Sequence, residues 1–174
     1  TTRRDAVAAA VLHGTTVLAL GGWNGSTALA SVEALDLAAA PGAPLSLAWT
    51  PFPSMTTPRS GHAAAVLLGV IYVAGGYNGG TNYLASVERF DGGAHSAWAP
   101  VPANMTTART FFALVALEEG GAGVPPGGLL VAAGGVNSGG ANNVLASAEA
   151  FGPAAPGAAW TAIASLATAR YWCA

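Results

Sequence analysis

Residues 70 to 80 read VIYVAGGYNGG. The β-branched and aromatic opening suits a buried strand, and the glycine-rich end has two standard uses. Such a loop cradles a phosphate when a helix follows, because the free N–H groups of the helix's first turn converge on the anion. It reverses the chain when a strand follows, because glycine supplies positive φ angles without steric cost. Residues 84 to 91, LASVERFD, come next and half-alternate in the manner of a strand. The turn reading therefore wins, and the glycines belong to the architecture.

The same construction occurs three times. The first copy runs AVAAAVLHGTTVLALGG, WNGS, LASVEALD and WTPFPSMTTPR, ending at Arg59; the second runs SGHAAAVLLGVIYVAGG, YNGG, LASVERFD and WAPVPANMTTAR, ending at Arg109. The third runs FFALVALEEGG, an insertion, LLVAAGG, VNSGG, LASAEAF and WTAIASLATAR, ending at Arg170. The glycine pairs Gly21/Gly22, Gly75/Gly76 and Gly134/Gly135 are separated by 54 and 59 residues, so the gaps vary while the motifs persist. Each copy holds four short strand-like runs whose connections are too short for a crossover helix. Neighbouring strands must then be antiparallel, and a twisted four-stranded meander repeated about an axis is a propeller blade. The fold expected is all-β, with repeats at residues 1–59, 60–109 and 110–170, and residues 171–174 starting another.

The glycine pair, the aromatic Tyr72, the run Ser86-Val87-Glu88, the spaced Trp98 and the segment from Met105 to Arg109 resemble kelch repeats, in particular the kelch domains of BTB-kelch ubiquitin-ligase adaptors. The resemblance covers essentially the whole chain. The third copy departs from it at Leu166, Ala148 and the insertion near residues 118–128, and the first copy lacks the aromatic found at Tyr72. The resemblance implies a kelch-type β-propeller that docks partner peptides on one face. Three blades fall short of a closed ring, so an incomplete propeller is expected, completed by further blades of a longer chain or by a homodimer.

Composition narrows the function. With 52% hydrophobic and 8% charged residues the chain is too apolar for disorder. A formal net charge of −2 offers no basic field for a polyanion, so nucleic-acid binding is not expected. Glycines interrupt every apolar run, which argues against a membrane span. A single cysteine, Cys173, excludes an internal disulfide framework. His13, His62 and His95 share no spacing, so no metal site, and no cofactor, is expected. No nucleophile and base pattern stands out, and side chains adjacent on a strand, such as Tyr171-Trp172-Cys173, point to opposite faces. The galactose-oxidase-like and mutarotase-like enzymes that share kelch repeats, and a cytoskeletal scaffold, are the alternatives to an interaction module in the cytoplasm.

Few charges exist, yet Arg59, Arg109 and Arg170, like Glu33, Glu88 and Glu149, fall in register. Charges in register serve either the scaffold, as buried pairs between arginine and the repeat glutamate, or a rim of donors. In a meander the start of the first strand and the end of the second share one face. Arg59, Arg109 and Arg170 are thus expected beside Trp23, Asn24, Tyr77, Asn78 and Asn137 in a ring suited to a partner's acidic peptide. Trp23 and Tyr77 are expected as exposed anchors. Trp49, Trp98 and Trp160 are expected to be buried between blades.

Overall fold

The computed structural model describes residues 3–37, 48–80, 82–92, 97–138 and 143–172. Among these, twelve strands form three four-stranded antiparallel sheets, with no helix. Blade 1 comprises β1 (Ala8–Leu12), β2 (Thr16–Leu20), β3 (Val32–Asp36) and β4 (Thr50–Phe52). Blade 2 comprises β5 (Ala63–Leu67), β6 (Val70–Ala74), β7 (Val87–Phe90) and β8 (Ala99–Val101). Blade 3 comprises β9 (Ala113–Leu117), β10 (Leu129–Ala133), β11 (Ala148–Phe151) and β12 (Thr161–Ile163). In each sheet the strands pair in chain order. Strand β5 packs on both β1 and β9, so the first strands stand side by side around a common axis.

Burial follows position in the array. Strand β1 alternates buried and exposed residues, the mark of one solvated face, whereas β6 is almost wholly buried. Blade 2 is covered on both sides: Ile71, Val73, Phe90 and Trp98 pack on Leu18, Leu20, Val32 and Met55 of blade 1, and Tyr72, Ala74, Val87, Val101 and Met105 pack on Phe112, Leu130, Phe151 and Trp160 of blade 3. A strand sandwiched in this way needs apolar residues at successive positions, which is why VIYVA lacks alternation. Leu18, Ile71 and Leu130 are fully buried, each contributing roughly 1.5–3 kcal/mol over an exposed side chain.

The glycine pairs sit where backbones crowd. A Cβ on Gly21 would lie 2.6 Å from the Arg59 carbonyl oxygen, and one on Gly75 would collide with the Arg109 carbonyl. The second glycine of each pair, at Gly22, Gly76 and Gly135, donates its N–H to the carbonyl of Arg59, Arg109 and Arg170 respectively. A row of left-handed residues lines the axis. Ala6, Gly61, Phe111 and Trp172, each two positions after an arginine, have φ of 45°, 59°, 53° and 56°. The amide of Gly61 donates to Ala6, that of Phe111 to Gly61, and that of Trp172 to Phe111. Every blade is thereby tied to the one before it.

In the turns, positive φ falls on Gly25, Gly79 and Gly80, and the Asn24 side chain accepts from the amides of Ser26 and Thr27, an Asx-type turn. One expectation is corrected here. Among the tryptophans, Trp98 and Trp160 are buried, but Trp49 is 39% exposed. The two buried indoles lean on the preceding blade, and no described blade precedes Trp49.

Candidate functional site

The rim is built by the residues flanking the glycine pairs, and the repeat arginines approach it from beneath. Arg59 is fully buried. Its Nη1–H donates to the carbonyls of Gly75 and Ser86, and Nη2–H to Ser86 Oγ and to Glu88 Oε1 at 3.0 Å. Arg109 repeats the set one blade on, with the carbonyls of Gly134 and Ser147, Ser147 Oγ, and Glu149 Oε1 at 2.8 Å. Arg4 makes the same contacts with Gly21, Ser31 and Glu33.

The glutamates are satisfied from a second direction. The amides of Thr56 and Thr57 donate to Glu88, and those of Thr106 and Thr107 to Glu149. Burial pushes the Glu88 carboxyl up, but the hydrogen bonds from Thr56 and the Arg59 charge outweigh it and hold the group below the usual carboxylate range. Glu149 is held low in the same way by Thr106 and Arg109, against its own desolvation. Burial pulls the Arg59 guanidinium down, and Glu88 opposes that pull.

These contacts give the arginine a divided role. The Arg59 amide bonds Leu29 and its carbonyl accepts from Gly22, both in repeat 1, while its side chain lies wholly in repeat 2. Arg109 divides itself between repeats 2 and 3 in the same way. The expectation that Arg59 and Arg109 present guanidinium donors at the rim is therefore corrected: their donors are committed inside the scaffold. Arg170 keeps the backbone bonds, to Leu145 and Gly135, but its side chain is exposed and among the described residues reaches the Thr168 carbonyl, at 3.4 Å.

What the rim does expose is aromatic and amide. Trp23 and Tyr77 are half-buried, Asn24 and Asn137 exposed, and Asn78 half-buried. The Trp23 and Tyr77 rings lie 6.4 Å apart, and Tyr77 and Tyr83 5.5 Å apart. Between the turns of repeats 2 and 3 lies a concavity of about 630 Å³, lined among others by Tyr77, Asn82, Tyr83, Thr110, Phe111 and Asn137, and among the described residues no charged side chain lines it. Tyr83 and Phe111 were not legible as site residues in the sequence. Phe111 stands in the left-handed row at the position of Gly61, and only the left-handed backbone there turns its ring to the rim. It stacks on Trp172 at 4.1 Å.

The remaining polar residues lie elsewhere. His62 is buried between blades 1 and 2, against Gly21 and Gly76, and neither ring nitrogen makes a hydrogen bond of good geometry with the described residues. Desolvation, with the nearby Arg59 charge, lowers its pKa to about 3. Glu118 and Glu119 accept from the amides of Leu68 and Gly127, bracing the insertion against the β5–β6 hairpin. His95 and Cys173 lie outside the described residues. Among the described residues no group of His, Cys, Asp and Glu is placed to hold a metal ion, and no helix is long and apolar enough to cross a membrane.

Comparison with known proteins agrees with this geometry. The family model described as the Kelch motif matches residues 8–56 and 58–91. Human Kelch-like protein 33 is 41% identical over 73 residues, which are 42% of this chain and 12% of that protein. The matched part is thus a small share of that relative's length. With three meander sheets arrayed about an axis, glycine pairs at the strand ends and arginine–glutamate joints between repeats, the chain carries kelch repeats similar to those of the kelch-like proteins.

Proposed function

We propose that this chain is a protein-interaction module that holds a segment of a partner on the rim, over the concavity between the turns of repeats 2 and 3. The observation that carries this is the cluster of Tyr77, Tyr83 and Phe111 around a neutral hollow, edged by the amides of Asn82 and Asn137. Half-buried aromatic rings with polar neighbours are the usual anchors of recognition surfaces. Trp23, Asn24 and Asn78 extend the same surface toward repeat 1, and the exposed Arg170, at the end of repeat 3, is a repeat arginine available to a partner.

The neutral lining favours an uncharged segment over the acidic one expected from the sequence, because the cations of Arg59 and Arg109 are already neutralised by Glu88 and Glu149. In the wider protein the module would select substrates for a ubiquitin ligase in the cytoplasm, acting as a non-enzymatic adaptor. Selection from a displayed random-peptide library tests the reading. Enrichment of neutral, aromatic or proline-containing peptides, lost in the double variant Tyr77→Ala, Phe111→Ala at unchanged melting temperature, is the expected result. Selected peptides that bind that variant as well as the parent would refute it.

A further inference from the structure

The two blade interfaces are built on one plan and filled differently. Between blades 1 and 2, Leu18, Ala34 and Phe52 face Phe90 and Trp98, and Phe52 packs edge-on against Phe90 with ring centroids 5.0 Å apart. The Trp98 indole N–H donates to the Pro53 carbonyl at 2.8 Å. The register-equivalent residues between blades 2 and 3 are Tyr72, Arg89 and Val101, facing Phe151 and Trp160. Valine in place of phenylalanine leaves the space unfilled, and a cleft of about 710 Å³ opens there.

Its walls are Val101, Phe151 and the proline rings of Pro100, Pro102 and Pro153. Its polar side chains are those of the buried Tyr72 and the exposed Arg89. The Arg89 guanidinium lines it opposite Tyr72, its cross-strand partner, and Tyr72 is buried. Beside it, Trp160 stacks on Phe151 with centroids 5.3 Å apart, and its buried indole N–H has no acceptor among the described residues, unlike that of Trp98. A buried donor without a partner is costly. Among the described residues no acidic side chain lines the cleft, and the carboxylate that acts on Tyr72 is that of Asp91.

We infer that this inter-blade cleft is a second binding site, separate from the rim, for a small monocarboxylate with a flat apolar body. The ring would lie among the prolines, Val101 and Phe151, and the carboxylate would accept from Arg89, a charge-assisted bond that a neutral analogue forgoes. An apolar pocket of this size with a few convergent polar groups is the usual form of a small-molecule site.

Titrating the chain with phenylacetate, and in parallel with neutral phenylacetamide, tests the inference; Trp160 fluorescence and backbone amide shifts around Val101 and Phe151 are the readouts. The expected result is saturable binding of the acid with Kd near or below about 1 mM, and binding of the amide about tenfold weaker. Arg89→Met should remove that preference. Val101→Phe, which copies Phe52 into the cleft, should abolish binding and raise the melting temperature; it decides the matter even if Arg89→Met folds poorly. Equal affinity for acid and amide, an Arg89→Met variant that keeps the preference, binding that survives Val101→Phe, or no saturable binding would each overturn the inference.

Discussion

Arg109 and Arg170 end nearly the same words, TTAR and ATAR, and have the same backbone bonds to the glycine-pair region of their own repeat. Arg109 is fully buried and paired with Glu149, whereas Arg170 is exposed and, among the described residues, its side chain bonds the Thr168 carbonyl alone. The difference teaches that each repeat fixes where its arginine's main chain goes, and the following blade alone fixes what the side chain does. The motif is a joint between repeats, and where no described blade follows, the side chain is free to meet solvent or a partner.

The comparison can be broken most severely at the joint. Replacing Arg109 by methionine leaves Glu149 buried without its cation, and breaking such a pair costs about 3–5 kcal/mol, to be read as a lowered midpoint in urea unfolding. Next in size is Gly75→Ala. Gly75 has φ of 63° and a Cβ there would collide with the Arg109 carbonyl, backbone that cannot step aside. A loss of about 2 kcal/mol or more is expected in the same assay.

His62 sharpens the comparison through pH. Its counterpart in blade 3 is Phe112, which packs on Gly75 as His62 packs on Gly21. The folded-state pKa, about 3, lies below the ordinary 6.5. The unfolded chain therefore takes up a proton first as pH falls, and stability that is full above 6.5 is lost progressively toward 3. By pH 5 the loss from this group is about 2 kcal/mol. His62→Phe should flatten that part of the profile in melts between pH 7.5 and 5, leaving the steeper fall in the carboxylate range, where the depressed Glu88 and Glu149 begin to protonate. A variant with the parent's slope between those pH values would refute the burial argument. The smallest effect belongs to Arg170→Met, expected within about 0.5 kcal/mol of the parent in urea unfolding because the side chain is exposed.

Much of this was legible in the sequence. Glycine pairs, alternating or continuous apolar runs and spaced tryptophans are local signals, and they were enough for three meander blades. The register of Arg59 and Arg109 with Glu88 and Glu149 even hinted at the pairs. What could not be read was which way each guanidinium faces, because that depends on the next blade, whose glutamate lies 29 residues beyond Arg59 and 40 beyond Arg109. The left-handed row was hidden for a similar reason: of Ala6, Gly61, Phe111 and Trp172, only the glycine advertises a left-handed backbone. Phe111 thus escaped notice as a rim residue. The burial of Trp49 depends on a neighbouring blade, and local sequence carries no record of neighbours. The cleft beside Arg89 is visible only when the two interfaces are overlaid and Val101 is seen to stand where Phe52 does.

A double-mutant cycle on Arg59 and Glu88, read by urea unfolding of Arg59→Met, Glu88→Leu and the combined variant, probes the joint most directly. The joint predicts that each single change is costly and that the combination recovers much of the loss, with a coupling of about 2–3 kcal/mol. Single losses that simply add would mean that Arg59 and Glu88 act independently, and that blades 1 and 2 are held together without them.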